Sequence, residues 1–195
     1  MKKQNLYAVF ILLFILCENS MGANILPNGS FEITTLPDMP DCYDHYLGPK
    51  KVKNWYSAWN VDSDQSYHGT KSLRLDIASI EQAGKIGVRP VLHGLTLKRR
   101  NWIATENGKD YTFSLYMKSD RHDFPVRIRY VKGHKVLVGR HWQRFEFTEK
   151  VKNKKGRFVD FAIVPKGTGK LWIDGLQLEK GLSATQYHPS VFDSD

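Results

Sequence analysis

The sequence predicts an all-β fold, a two-sheet antiparallel β-sandwich, and three observations support this prediction. Segments in which apolar and polar residues alternate recur along the chain. Short clusters of Gly, Asn, Asp and Pro separate these segments, as turns do. No segment shows the apolar periodicity of an amphipathic helix. Because an alternating strand buries only one face, two sheets packed face to face accommodate all such strands.

The clearest strand covers residues 111–118 (YTFSLYMK), where Phe113, Leu115 and Met117 fall on one face. Their neighbours Thr112 and Ser114 fall on the other. The same pattern predicts strands at residues 73–77, 87–92, 125–131, 143–148, 158–164 and 171–178.

Three segments between these strands are predicted to be irregular. Residues 107–108 (NG) and 132–134 (KGH) are typical of turns. Residues 37–54 have the least regular pattern, and we expect a long loop over one end of the sandwich.

Residues 1–22 have the features of a secretory signal peptide. Lys2 and Lys3 precede an apolar run over residues 6–17, and the small residues Ser20 and Gly22 follow. The alternative is an uncleaved membrane anchor, although the run is short for a bilayer. We therefore expect a secreted, extracytoplasmic protein whose residues 23–195 form one domain without a membrane span. Cleavage would leave Cys42 as the lone cysteine, excluding an intrachain disulfide.

The chain is basic, with 29 Lys and Arg against 20 Asp and Glu and a formal net charge of +9. This charge favours polyanionic partners. Export makes an acidic polysaccharide a better candidate than nucleic acid, and a basic surface without a specific partner is the alternative. The sequence contains no H-E-x-x-H, G-x-S-x-G, Cys-rich zinc or phosphate-loop motif.

Six segments, in this order and at these spacings, resemble a known family. They are NILPNGSFE (24–32), HGTKSLRLD (68–76), GKDYTFSLYMK (108–118), WQRFEF (142–147), KLWIDGLQLEK (170–180) and ATQYHPS (184–190). They resemble the carbohydrate-binding modules with a galactose-binding-like jelly roll that are appended to bacterial cellulases and xylanases. The resemblance implies a jelly-roll sandwich, non-catalytic binding of a polysaccharide or oligosaccharide, and a glycoside-degrading enzyme as a potential partner.

The resemblance also implies a structural calcium ion. The family's matching positions are Glu32, Asp174 and backbone oxygens near Lys71. Calcium takes six to eight oxygen ligands, and ligands from three distant segments would fasten both ends of the chain to the sheet. The alternative is that Glu32 and Asp174 only cap turns by accepting hydrogen bonds from backbone N–H groups.

Residues that break the core pattern are candidates for ligand contacts. Tyr116, Arg127 and Arg129 are predicted to point outwards from neighbouring strands, as a platform for a charged sugar. The alternative is an exposed strand face with solvated arginines. Trp59, paired with Trp55, either flanks a sugar or belongs to the core.

A basic loop supplies two further candidates, Arg100 and Trp102. An aromatic ring beside arginine suits a carboxylated or sulfated saccharide, because the guanidinium matches planar anions. The alternative is a solvated loop held by one buried Trp. Trp142 and Trp172 lie in strand patterns and are predicted to be packing residues.

Two alternatives to a binding module remain. A polysaccharide lyase would use Tyr116, His134 or His141 as the base and Arg127 and Arg129 to neutralise a uronate. A cell-surface adhesion or structural module would use the same fold without saturable sugar binding.

Overall fold

Regular structure consists almost entirely of β-strands. The computed structural model describes residues 22–47, 55–90, 103–152, 158–159, 161–190 and 193. The strands in this part are β1 Tyr43–Leu47, β2 Trp59–Asp62, β3 Ser72–Ile77, β4 Ile86–Pro90, β5 Ile103–Ala104, β6 Asp110–Ser119, β7 Phe124–Tyr130, β8 Lys132–Val138, β9 Gln143–Lys150, β10 Phe158–Val159, β11 Phe161–Pro165 and β12 Gly169–Lys180. A short 3-10 turn, Trp55–Ala58, precedes β2.

Ten of these strands form two five-stranded antiparallel sheets. The first sheet has the order β1-β4-β11-β7-β8, and the second has the order β2-β3-β12-β6-β9. The remaining strands, β5 and β10, pair with each other. The predicted two-sheet antiparallel sandwich is therefore confirmed.

The core lies between the two sheets, where the alternating apolar residues meet. On β6 the buried residues Phe113, Leu115 and Met117 face inwards, as their spacing predicts. Phe113 reaches across to the first sheet, with its ring centroid 4.5 Å from that of Phe161 and 5.5 Å from that of Tyr130. These aromatic contacts join the two sheets near the end of β7 and the start of β11.

Two segments predicted to be irregular are strands. Residues 132–134 are the start of β8, and the hairpin bends at Val131, whose φ is 49°. Residues 37–54 contain β1, which pairs with β4 and is anchored by the buried Tyr43, whose hydroxyl donates to the Pro27 carbonyl at 3.2 Å. Both are edge strands, and a strand with one open edge and one solvated face carries a weak apolar pattern.

The first and last described segments are bonded to each other. The Asn24 amide donates to the carbonyls of Leu176 at 3.3 Å and His188 at 3.1 Å. The backbone N–H of Asn28 donates to the carboxylate of Asp193 at 2.5 Å. The two ends of the domain therefore meet beside β12.

Among the described residues, no helix is long and apolar enough to cross a bilayer. The predicted signal sequence falls in residues 1–21, which lie outside the described residues, with Gly22 just inside them.

Replacing Phe113 by Ala should lower the free energy of unfolding by about 3–5 kcal/mol, because removal of the ring leaves a cavity between the two sheets. Urea unfolding followed by circular dichroism measures this change. Ile80→Ala, at a side chain that is 75% exposed, should stay within about 0.5 kcal/mol of the parent protein. A loss of under 1 kcal/mol for Phe113→Ala would show that the core does not depend on this contact.

Candidate functional site

The outer face of the second sheet is largely covered by the chain itself. Its central strands carry polar side chains that point away from the core and are nevertheless buried. These residues are Thr112, Ser114, Asp174, Gln177 and Glu179. Buried polar groups require hydrogen-bond partners, which here come from two covering segments, residues 62–71 and 181–190.

The segment after β12 covers one part of this face. The Glu179 carboxylate accepts from the backbone N–H of Thr185 at 3.0 Å and from its hydroxyl at 2.7 Å. The Gln177 side-chain oxygen accepts from the N–H of His188 at 3.1 Å. Arg144 on β9 donates to the Thr185 carbonyl and to Ser114. These bonds hold the segment flat against the sheet.

Asp174 fastens the other covering segment. Its Oδ2 accepts from the backbone N–H groups of Tyr67 at 2.6 Å and His68 at 2.9 Å, and its Oδ1 accepts from Gly175 at 2.6 Å. The side chain has no solvent exposure. The bulge that follows it in β12 shifts the register between Asp174 and Gln177.

Glu32 completes this clamp from the N-terminal side. Its Oε1 accepts from the backbone N–H groups of Thr70 and Lys71, both at 2.8 Å, and its Oε2 accepts from the Thr70 hydroxyl at 2.8 Å. We call Glu32, Asp174 and the loop residues 67–71 the carboxylate clamp. The three segments predicted to converge do converge, and both carboxylates accept backbone N–H groups.

The electrostatics of the clamp suit a cation. The pKa of Asp174 is raised to about 7, chiefly by burial and also by the negative charge of Glu32, although three backbone donors lower it. Two neighbouring carboxylates, one of them buried, are the donor type that calcium prefers. In the part of the chain that the structure describes, no group of three or more His, Cys, Asp or Glu residues surrounds a point. All four carboxylate oxygens accept hydrogen bonds, as the turn-capping alternative predicts, so a calcium ion at this position would have to replace some of these donors.

The outer face of the first sheet is different, because cationic side chains stand exposed on it. Arg127 and Arg129 on β7 and Lys135 on β8 are exposed, and Arg127 is the cross-strand partner of Lys135. Arg89 on β4 lies on the same face, with its guanidinium 3.3 Å from the Asp44 carboxylate. We call Arg89, Arg127, Arg129 and Lys135 the basic face.

Small side chains form the floor between these cations. Ala162 and Val164 on β11 pair with Arg129 and Arg127 and are almost fully buried. A Cβ on Gly133 would lie 3.2 Å from the Arg127 guanidinium, so Arg127 extends over β8. The outward side chains of β11 are therefore covered, while the cations of the strands beside them stand at the surface.

The structure separates the predicted ligand residues. Arg127 and Arg129 share the basic face, but Tyr116 lies on the outer face of the second sheet, so the predicted platform of all three is wrong. Tyr116 is 9% exposed and stacks under Tyr67, with centroids 3.6 Å apart. Trp59 is 4% exposed and belongs to the core, where it cannot stack on a sugar.

The other predicted ligand residues, Arg100 and Trp102, lie outside the described residues and stay predictions. Sequence reasoning did not single out Arg89 or Lys135. Arg89 lies on β4 and Lys135 lies on β8. Because successive side chains of a strand point to opposite faces, assigning these two segments to one sheet would have predicted that both side chains point away from the core.

Trp142 and Trp172 are not core residues, contrary to prediction. Both are half-buried on the outer face of the second sheet, on either side of Lys118. The Lys118 Nζ lies 5.1 Å from the Trp172 ring centroid and 5.8 Å from that of Trp142. Trp172 points outwards because it precedes Asp174 by two residues on the same face of β12.

The comparisons with known proteins concern the fold. No protein-family model and no curated protein sequence matches the chain. Among solved structures, the carbohydrate-binding module CBM4 matches with a TM-score of 0.54 at 17% identity, covering 80% of this chain and 99% of that one. The xylan-binding domain CBM22-1 of Paenibacillus barcinonensis Xyn10C matches with a TM-score of 0.50 at 16% identity, covering 84% and 97%.

The same fold also occurs in an enzyme. A cyclase from Fischerella sp. TAU matches with a TM-score of 0.53 at 12% identity, covering 81% of this chain and 96% of that chain. These similarities confirm the jelly-roll fold that the resemblance to carbohydrate-binding modules implied. At such identities they concern the fold alone, and function must be argued from the site.

Gly69→Ala should destabilise the protein more than Gly108→Ala. Both glycines have positive φ, 69° and 76°, and replacing either by Ala adds a backbone cost of about 1–2 kcal/mol. A Cβ on Gly69 would also lie 2.4 Å from the Glu32 carboxylate, whereas one on Gly108 would meet nothing within 4 Å. We expect an additional loss of about 1–3 kcal/mol at Gly69 from disrupted clamp hydrogen bonds. Equal losses in chemical unfolding would contradict the clamp.

Proposed function

We propose that this protein binds carbohydrate without catalysing a reaction, and that the basic face binds acidic polysaccharides. The observation that supports this most directly is the group of exposed cations Arg127, Arg129 and Lys135 on the outer face of the first sheet. The fold shared with CBM4 and the xylan-binding CBM22-1 supports a saccharide as the ligand class.

The chemistry of the basic face favours anionic sugars over neutral ones. Arginine offers a planar set of donors that matches a carboxylate or sulfate, and the charge is unaffected by pH in the physiological range. The guanidinium groups are the accessible part of this face, because Arg127 and Arg129 are exposed whereas Ala162 and Val164 between the strands are buried. The predicted Arg100 and Trp102 would extend this site.

The lyase alternative loses support from the placement of its residues. Tyr116 lies on the opposite sheet from Arg127 and Arg129. His134 faces the inner edge of the sandwich, 3.4 Å from Glu149 and packed against Phe147. Neither Tyr116 nor His134 therefore lies on the face that carries Arg127 and Arg129.

We also propose that Glu32 and Asp174 hold a structural calcium ion, with main-chain oxygens of the loop near Lys71. The ion would offset the two negative charges and fix the loop that covers the second sheet. Export from the cytoplasm, predicted from residues 1–22, would expose the protein to the calcium concentrations that such sites use.

The double substitution of Arg127 and Arg129 by Gln should abolish most retention on an acidic polysaccharide. Affinity electrophoresis in gels containing a polyuronate or a sulfated glycan measures this. For the parent protein, retention should fall as salt rises, because exposed charges are screened. We expect a loss of at least about tenfold in affinity, since two charge-assisted contacts disappear.

The matched control is Lys109→Gln with Lys152→Gln, which removes the same charge from exposed positions away from the basic face. If both double variants lose the same affinity for the polysaccharide, the loss reflects the lower net charge alone, and this result would contradict a specific site on the basic face. Release of unsaturated uronides, read by ultraviolet absorbance, would instead establish a lyase. No retention of the parent protein on any glycan would favour an adhesion or structural module.

Calcium removal should lower the melting temperature of the parent protein by about 5–10 °C, because a saturating ligand of the folded state stabilises it by a few kcal/mol. Differential scanning calorimetry with a chelator, and then with excess calcium or magnesium, measures this. Asp174→Asn should be less stable and unresponsive to calcium. If the parent protein melts at the same temperature with and without chelator, the carboxylates serve only as hydrogen-bond acceptors.

A further inference from the structure

Two edge strands lie beside each other along one flank of the sandwich. β8 is the last strand of the first sheet, and β9 is the last strand of the second. The strands are in contact, because the His134 ring on β8 lies 4.6 Å from the Phe147 ring on β9 and the Lys132 Nζ lies 2.9 Å from the Glu149 carboxylate. Among the described strands, none pairs with the outer edge of either. Such an edge can pair with another chain.

β9 has few of the features that usually prevent an edge strand from pairing. It is eight residues long, contains no proline, and pairs with β6 without a bulge. Glu149 points inwards, but Lys132 of the same chain neutralises it. The inward rings of Phe145 and Phe147 are only half-buried. A further strand on this edge would cover these rings.

The charges of the two edge strands indicate which strand can be added. β8 carries Lys132, His134 and Lys135 and no acidic residue, so two copies of β8 would repel each other. β9 carries exposed side chains of both signs, Glu146 and Lys150. Because charges of opposite sign on one strand can meet in an antiparallel pair, β9 is complementary to a second copy of itself.

One register brings these charges together. When two copies of β9 pair antiparallel about a two-fold axis beside Thr148, Glu146 of each copy lies opposite Lys150 of the other, and Thr148 lies opposite its own copy. Opposite charges and paired threonines both stabilise an antiparallel strand pair. Lys152, which would come next to Arg144, lies beyond the end of β9.

The other two-fold registers are less favourable. An axis beside Glu146 or Glu149 places two carboxylates opposite each other, and an axis one residue after Glu146 places Arg144 opposite Lys150. An axis one residue before Glu146 would require Arg144 to bind the partner's glutamate, although Arg144 already donates two hydrogen bonds within its own chain. Charge therefore selects the register about Thr148.

We propose that two copies of this protein form a dimer by antiparallel pairing of their β9 strands about an axis beside Thr148. The two second sheets, each of five strands, then become one continuous sheet. Because the axis is perpendicular to that sheet, both first sheets lie on the same side of it, and their outer faces point in the same direction. If the basic face binds polyanions, as proposed above, one long chain could contact both copies and bind with avidity.

Two charge-reversal variants test the dimer without any glycan. Glu146→Lys and Lys150→Glu each place like charges opposite each other in their own dimer, and each should raise the dissociation constant at least about tenfold in sedimentation equilibrium. An equal mixture of the two variants restores opposite charges at both positions and should form mixed dimers as tightly as the parent protein. Glu81→Lys makes the same charge change at a side chain that is 76% exposed and away from β9, and should leave dimerisation unchanged.

Cross-linking tests the register. In a chain whose Cys17 and Cys42 are replaced by Ser, Thr148→Cys should oxidise to a linked dimer, because facing Cα atoms about 4.5–5.5 Å apart suit a disulfide. Gln143→Cys, on the same strand but far from the axis, should not. A monomeric parent protein, unaltered dimerisation of both charge variants, or no gain on mixing them would overturn the proposal. Failure of the protein to bind acidic polysaccharides would contradict only the proposal for the basic face.

Discussion

The burial of the Asp174 carboxylate in the middle of β12 constrains much of the rest of the structure. A carboxylate without solvent contact requires donors, and the nearest chain that can supply them is the loop over residues 67–71. Glu32 binds the same loop from the N-terminal side, and Gly69 permits the close approach. Once this loop lies across the second sheet, most of that face is closed, whereas cationic side chains of β7 and β8 stand exposed on the outer face of the first sheet.

The two outer faces consequently differ in chemistry as well as in coverage. The first sheet carries exposed cations on the strands beside the buried Ala162 and Val164. On the second sheet, Trp142, Lys118 and Trp172 are half-buried beside the covering segments. A β-sandwich has room for both because its strands place alternate side chains outside the core, and each sheet has its own outer surface.

The sequence was sufficient for the fold and for part of the site. Strong alternation in β6 and β7 predicted those strands and the inward residues Phe113 and Ile128, and six ordered segments predicted the jelly roll. The edge strands β1 and β8 were missed because half-solvated strands carry little apolar signal. Tyr116 was grouped with Arg127 and Arg129 because the alternating pattern shows only that a side chain points away from the core. The pattern does not show to which of the two sheets the strand belongs. Trp142 and Trp172 were predicted to be packing residues because they lie in strand patterns, whereas their contacts with Lys118 place them on the outer face of the second sheet.

The pairing of the two ends of the domain has a mechanical consequence. Asn24 and Asn28 bond to His188, Asp193 and β12, so the first and last described segments are joined side by side. A pulling force applied between these segments acts first on a small set of side-chain hydrogen bonds rather than along the sheets. Both outer faces of the sandwich would keep their shape until those bonds break, so tension between the two end segments would separate them before it distorted either sheet.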